Sequence, residues 1–500
     1  MKINLLLTFA LTLCLLSPAI GQDKPGEKEE ASPKQKPKVM AIRGGDIHTV
    51  TDGVIRQGTI LVKDGKITEI GVNVDIPEGA EIIDATGKIV SPGFVAISMR
   101  GIGFSSTPTG SNKLADGLNP YDQNIKYALG VGITTGCVEL ATSGGSPRFR
   151  SPGEPADIFP GLEKPNIELL TEEMLDLGDP DTNLCPCCGL PVLPTEPITP
   201  TRPTTAKPRK MTVIKMAYGN LDAMLAKESV FYNPAPGALN GPLNRHNFRI
   251  ALKKAADAIK AEKEAAAKPK TSTASKTSSG STKPSSTASK TSTPKADPAL
   301  VKLLKGDTKM RVRASAYDEI SDLTDLALEY GYGLVIEGGI EAWALADKLS
   351  IAGVEVVYTP RFRREPQKGR EDNSGSLFES PRVFETKGIP FATQTLSNSI
   401  SMGGLAGRDL ASLPLEAAFA VRGGASEKTA LESVTITPAR MMGIDDRVGS
   451  IEVGKDADLL ILNGEPLDYK TYVEQAIVQG RLSYDREKDR VYPVFERTEN

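Results

Sequence analysis

Lys309-Met310-Arg311-Val312-Arg313-Ala314, Gly333-Leu334-Val335-Ile336-Glu337 and Val354-Glu355-Val356-Val357-Tyr358 are three short runs of strand character. Two stretches with helical spacing, Ile320 to Tyr330 and Ile340 to Ser350, separate them. Strands that are apolar on successive positions have no wet face, so they belong to a sheet covered on both sides. A helix between each pair supplies that cover and the chain length of a parallel crossover. Working outward, strands read at Lys88 to Ile97, Gly132 to Leu140, Met211 to Met216 and Ile389 to Thr393. Helices read at Asn124 to Leu129 and Phe248 to Ala265. Units of this kind spread over roughly 350 residues suit an α/β fold of the (β/α)₈ barrel type better than an open sheet. The barrel is placed at 91–446.

The two chain ends read differently. Val39 to Gly45 is an apolar run closed by glycines, and Thr59 to Ile70 is two strands around Asp64-Gly65, a strong hairpin signal. Glu81 to Ala85 adds another strand, giving a small antiparallel sheet. Near the far end Thr437, Pro438 and Gly443 read as the N-cap, first turn and C-terminal cap of a helix. Val448 to Leu462 then reads as two short strands, and Val473 to Val478 and Arg481 to Tyr484 form a hairpin around Gly480. With no helix to cover them, these strands are expected to join the N-terminal ones, so 39–90 and 447–491 make a composite β-sandwich.

The chain has 500 residues, 39% of them hydrophobic, and a formal net charge of -3. That balance gives no electrostatic case for a nucleic-acid partner. Residues 1–21 read as a signal peptide: Lys2, the apolar run Ile3 to Leu16, and small residues at Ala19 and Gly21. The expected location is therefore periplasmic or secreted, with 22–38 a charged, disordered leader. No later stretch is long and apolar enough for a membrane span. Two insertions interrupt the barrel: 178–210, rich in Pro and Thr and carrying Cys185, Cys187 and Cys188, and 268–298, dominated by Ser, Thr, Lys and Pro. The second is expected to be a flexible surface loop. Cys185-Pro186-Cys187-Cys188 is half of a zinc knuckle without a second half, so a disulfide or free thiol is favoured over zinc in an oxidising compartment.

Gly454-Lys455-Asp456-Ala457-Asp458-Leu459-Leu460 resembles the C-terminal signature of the amidohydrolase superfamily. So do Thr435 to Ala439 followed by Met442 to Gly449, Asp64-Gly65-Lys66-Ile67, and Ile89-Val90-Ser91-Pro92-Gly93-Phe94. Lys215 to Gly219 and Leu334 to Glu337 are similar to internal strands of the exported, imidazolonepropionase-like branch. The resemblance runs from about Lys38 to Val491 outside the insertions. It implies a metal-binding (β/α)₈ barrel with a β-sandwich, hydrolysing C–N bonds through one or two divalent metals and an Asp proton shuttle.

The ligands that the resemblance implies are not there. Where the family has His-x-His after the first barrel strand, this chain has Ser98-Met99-Arg100. On the fifth strand the family's His is replaced among Arg311, Arg313 and Ser315; on the sixth it falls on Gly338, and the catalytic Asp falls on Leu396. Only Lys215, where some members carry a carboxylated bridging lysine, keeps its type. The chain has two histidines, His48 in the N-terminal sheet and His246 at the start of a charged helix. Cys137, at the end of the second strand, is a candidate thiol ligand or a buried structural cysteine.

Ser98, Arg100, Lys215, Arg313, Ser315, Gly338 and Leu396 are thus the expected lining of a former metal site. With Arg100 and Arg313 turned in beside Lys215, fixed positive charge replaces metal, neutralised by carboxylates such as Glu337 or Asp122 or by an anionic ligand. The function expected is a non-hydrolytic protein without catalytic residues, cofactor or metal, binding a small ligand or a partner. The alternatives are an active amidohydrolase with an atypical divalent site such as zinc, acting on C–N bonds other than linear peptide bonds, and a structural scaffold. Oligomerisation is left open.

Overall fold

The computed structural model describes residues 39–104, 114–140, 210–235, 238–239, 241–267, 296–400 and 409–491. The stretches expected as signal peptide and leader, Cys185, Cys187, Cys188 and nearly all of both insertions lie outside the described residues. The strands in chain order are β1 (Val39–His48), β2 (Val54–Lys63), β3 (Lys66–Gly71), β4 (Glu81–Asp84), β5 (Ile89–Pro92), β6 (Phe94–Met99), β7 (Ile133–Leu140), β8 (Lys210–Lys215) and β9 (Leu225–Lys227). There follow β10 (Phe231–Tyr232), β11 (Lys309–Ala314), β12 (Leu334–Gly338), β13 (Glu355–Tyr358), β14 (Phe391–Thr393), β15 (Leu459–Leu462), β16 (Val473–Val478) and β17 (Arg481–Asp485). The helices are α1 (Gln123–Gly130), α2 (Leu221–Met224), α3 (Gly241–Ala267), α4 (Pro298–Lys305), α5 (Tyr317–Tyr330), α6 (Ala346–Ala352), α7 (Ser380–Lys387), α8 (Leu413–Arg422), α9 (Glu427–Glu432), α10 (Ile436–Met442) and α11 (Arg486–Asp489).

Strands from both chain ends share one eight-stranded sheet, ordered β17-β16-β15-β5-β1-β2-β3 with β4 also on β1. The β2–β3 hairpin closes on Asp64 (φ 51°) and Gly65 (φ 80°), the doubly left-handed turn that Asp-Gly favours. Three expectations need correction here. The sheet is mixed, because β4 and β5 run parallel to β1 along different halves of it. Val448 to Leu462 yields only β15, its first part being a loop that carries charged side chains inward. Helix α10, expected to be capped by Thr437, starts at Ile436 with Thr435 in the N-cap position, the Thr435 hydroxyl being spent on the Leu431 carbonyl.

The remaining strands form two sheets, β10-β11-β12-β13-β14 and β6-β7-β8-β9. The first is parallel throughout. Its cover follows from helix periodicity: α5 buries Ile320, Leu323, Leu326 and Ala327 at three- and four-residue spacing. Each such side chain contributes about 1.5–3 kcal/mol on full burial. The interior faces of both sheets meet in one apolar cluster that includes Ile97, Cys137, Val213, Phe231, Val335, Val357 and Ala392. β6 and the segment that follows β14 run in the same sense, since Arg100 and Ser399 form a parallel bridge at the end of β6.

In the four-stranded sheet β8 is antiparallel to β7, contrary to the all-parallel expectation, with Thr135 opposite Lys215 and Glu139 opposite Met211. This reversal decides where Lys215 lies. The expected helix from Ile340 to Ser350 is also divided, a short 3₁₀ turn (Ala342–Leu345) preceding α6.

Candidate functional site

The C-terminal ends of β6, β7, β11 and β12 bring together most of the residues singled out from the sequence. Ser98, nearly buried, accepts a hydrogen bond from Asn398 Nδ2 at 3.1 Å. Arg100, one step beyond β6, points an exposed guanidinium at Glu139 of β7, Nη2 to Oε2 3.3 Å. Arg313 donates from Nη2 to Glu337 Oε1 at 2.8 Å while 78% of its side chain stays exposed. Ser315 and Gly338 adjoin: a Cβ at Gly338, whose φ is +99°, would lie 2.8 Å from Ser315 Oγ. Leu396 stands 42% exposed.

Lys215 is not part of it, and here the expectation fails. Because β8 runs backwards, Lys215 lies opposite Thr135, four residues before Glu139 along β7, which is about 13 Å at strand rise. Its buried ammonium sits 2.6 Å from Asp456 Oδ2 and 2.9 Å from Asp458 Oδ2, both brought by the loop before β15. Arg447 and Lys66 also reach Asp456, at 2.8 and 3.0 Å. Burial raises the Asp456 carboxyl, but Lys215, Lys66 and Arg447 outweigh it and bring it down to about 2. A buried ammonium has to be paired, and these two aspartates pair it. Asp122, expected as a neutralising carboxylate, instead caps α1 and accepts the Gly103 N–H.

The residue that organises the site is Arg311. Its side chain is 1% exposed and reaches both sheets. Nη1 donates to the Ile97 carbonyl of β6 at 2.7 Å, and Nε donates to Glu337 Oε2 of β12 at 3.1 Å. Nη2 pairs with the same Oε2 at 3.1 Å but at an angle that makes no hydrogen bond. Phe231 of β10 stacks under the guanidinium at 5.5 Å. Burial drives the Glu337 carboxyl upward, yet Arg311 and Arg313 prevail and hold it below the ordinary glutamate value. Glu139, Glu337, Arg100 and Arg313 therefore make a rim of ion pairs, with Arg311 beneath it. The sequence placed Arg311 among the fifth-strand candidates, but Lys309 and Arg313 on the same strand gave no signal that it is the buried one; the signal for Glu139 was none, since Glu is ordinary at a strand end.

The superfamily resemblance implies a divalent metal at these strand ends, and the residues present do not fit one. Guanidiniums carry donors and no lone pair, so Arg100, Arg311 and Arg313 cannot ligate. Glu337, the best-placed carboxylate, is engaged by two of them. Gly338 has no side chain, and its left-handed backbone and the nearby Ser315 oppose adding one. Among the described residues no three His, Cys, Asp or Glu side chains come together as a ligand set. Cys137 is buried, and burial pushes its thiol up to about 11 against the pull of Arg311, which makes it inert as a nucleophile. His48 sits on β1 and His246 is exposed on α3, neither of them in this cluster.

Comparison with known proteins agrees with the architecture. The amidohydrolase family pattern matches residues 384–494. An amidohydrolase structure from Thermotoga maritima superimposes with a TM-score of 0.57, covering 89% of this chain and 100% of that one at 22% identity. A 5'-deoxyadenosine deaminase of Methanobrevibacter smithii is 31% identical over 131 residues. The imidazolonepropionase of Staphylococcus aureus is 48% identical over 42 residues. The C-terminal part of the chain thus matches the amidohydrolase family, and the fold as a whole is similar to that of an amidohydrolase.

The likeness is uneven along the chain. The matched segments span 25% of this chain and 30% of the deaminase, and 8% of this chain and 10% of the imidazolonepropionase. The family match includes β14, α8 to α10 and the C-terminal strands, but none of Ser98, Arg100, Arg311, Arg313 or Gly338.

Proposed function

We propose that this superfamily member binds a small anionic ligand, without hydrolysing it, at the rim formed by Arg100 and Arg313. The carrying observation is the pair of exposed guanidiniums, each engaged by a single carboxylate, above a fully buried Arg311. A carboxylate or phosphate is the natural complement of two such forks, since guanidinium groups match its oxygens in pairs. In this reading the two sheets close into a (β/α)₈ barrel and the composite sheet folds over as a β-sandwich. The domain boundaries are those of 39–90 with 447–491 and 91–446, and the protein acts after export and cleavage of residues 1–21.

A second reading has a specific support. The relatives are a deaminase and an imidazolonepropionase, and on descent alone they favour a working hydrolase on C–N bonds outside linear peptides. What opposes it is the donor set at the strand ends, because a metal-bound hydroxide needs lone-pair ligands that arginine does not have.

The test is a thermal-shift series on the mature protein with acetate, succinate and phosphate, beside Arg100→Met/Arg313→Met. A saturable rise in the midpoint that the double variant loses supports anion binding at the rim. No rise with any of the three anions, or a rise that survives in the variant, refutes it. Ring opening of cyclic amides, or release of ammonia from amino-purines, would instead establish the hydrolytic reading.

A further inference from the structure

A separate cavity lies away from these strand ends, between the turn after β1, helices α8 and α9, and the loop after β15. It measures about 580 Å³, within the range of small-molecule sites. Val50, Val421, Leu431 and Leu467 give it an apolar floor. Its polar rim is asymmetric: Glu427, Glu465 and Asp468 supply three carboxylates, and Lys428 supplies one ammonium. Lys428 faces Glu432 one helical turn on, at 3.9 Å. His48 lies 3.7 Å from Glu465, and burial of its imidazole favours the neutral form over the charge that Glu465 would stabilise.

From this lining we propose that the cavity binds a primary alkyl- or arylamine, its ammonium held by Glu427 and Glu465 and its apolar body laid on the floor. Charge complementarity fixes the sign of the ligand, because the rim carries an excess of carboxylate. The three hydrogens of a primary ammonium are what the acceptors need: Glu427, Glu465 and neutral His48 offer lone pairs, and a charge-assisted bond is the stronger kind. A quaternary ammonium is excluded on two grounds. It has no hydrogen to donate, and among the described residues the cavity is lined by no Phe, Tyr or Trp that could cage it. An alcohol of the same length would fill the floor equally well but leave the carboxylates unanswered. The site is independent of the anion rim and of the superfamily reading.

Isothermal titration of the full chain with hexylamine, 1-hexanol and hexyltrimethylammonium tests this. Hexylamine is expected to bind saturably with one site per chain, at least about tenfold tighter than either comparison compound, the difference one charge-assisted pair makes. Glu427→Gln/Glu465→Gln, two exposed positions whose change leaves the packing intact, should bring hexylamine to the level of hexanol. Val421→Trp should remove binding by filling the floor, with far-UV circular dichroism showing the fold retained. Binding of hexylamine and hexanol with equal strength, an unchanged affinity in the glutamine variant, or no saturable binding would overturn the proposal.

Discussion

Replacing Arg311 by Met removes the one cation wholly inside the strand cluster while nearly keeping the volume. Glu337, only 11% exposed, would be left with Arg313, whose side chain is 78% exposed and therefore screened by water. The Ile97 carbonyl would lose its donor. Breaking a buried ion pair from one side typically costs about 3–5 kcal/mol, and the surviving Arg313 contact places this variant near the lower end, about 3 kcal/mol. Against a domain stability of roughly 5–15 kcal/mol that is a large fraction. Removing both partners in Arg311→Met/Glu337→Leu leaves no unpaired buried charge, since Arg313, which also loses Glu337, is 78% exposed and solvated, and the loss should shrink to about 1 kcal/mol, the remaining carbonyl's share. Urea unfolding followed by Trp343 fluorescence and far-UV circular dichroism together measures both, Trp343 being the single tryptophan of the chain. Coincident transitions justify the two-state reading. A single variant within about 1 kcal/mol of the parent, or a double variant as damaged as the single one, would refute the argument that this pair is a buried electrostatic unit.

Other outcomes follow from the same geometry. Asp456 titrates near 2 in the folded chain against an ordinary 3.8, so it contributes about 2 kcal/mol that is present above pH 4 and lost as pH falls toward 2. Lys215→Met should flatten that acid limb in unfolding curves taken between those limits, and an unchanged limb would remove Lys215 as its cause. Gly338→Ala should destabilise by about 1–3 kcal/mol, since it forces a left-handed residue against Ser315 Oγ; a neutral effect in thermal melts would show that the turn gives way easily. Cys137 should resist a thiol reagent at pH 8 until the chain is unfolded, in a variant where the other cysteines are serine; rapid labelling of the folded protein would contradict its burial.

The parallel strands and their helices were legible because apolar runs and helical spacing report burial directly. β11 has the bounds read from the sequence, β12 is displaced by a single residue, and β13 starts one residue later than read. The Asp64-Gly65 turn was legible because left-handed backbone restricts residue type. The direction of β8 was not, since an apolar run such as Met211 to Met216 packs equally well either way up. That one ambiguity moved Lys215 from the expected rim to the aspartates of the loop before β15. Those aspartates looked like part of a strand because Asp456 and Asp458 alternate with Ala457 and Leu459. Glu337 was legible as a partner of Arg313, being on the adjoining strand. Arg100 pairing with Glu139 depends on a register that the sequence does not carry.

Metal content at the strand ends tests the central claim most directly. The sample should be purified from zinc-supplemented culture with Cys185, Cys187 and Cys188 changed to Ser, so that any bound metal belongs to the strand ends and not to that cysteine run. With Arg311 supplying the internal positive charge, metal should stand far below one ion per chain and chelator should leave the melting midpoint unmoved. One tightly held divalent ion per chain, lost together with stability when Glu337 is changed to Gln, would contradict it.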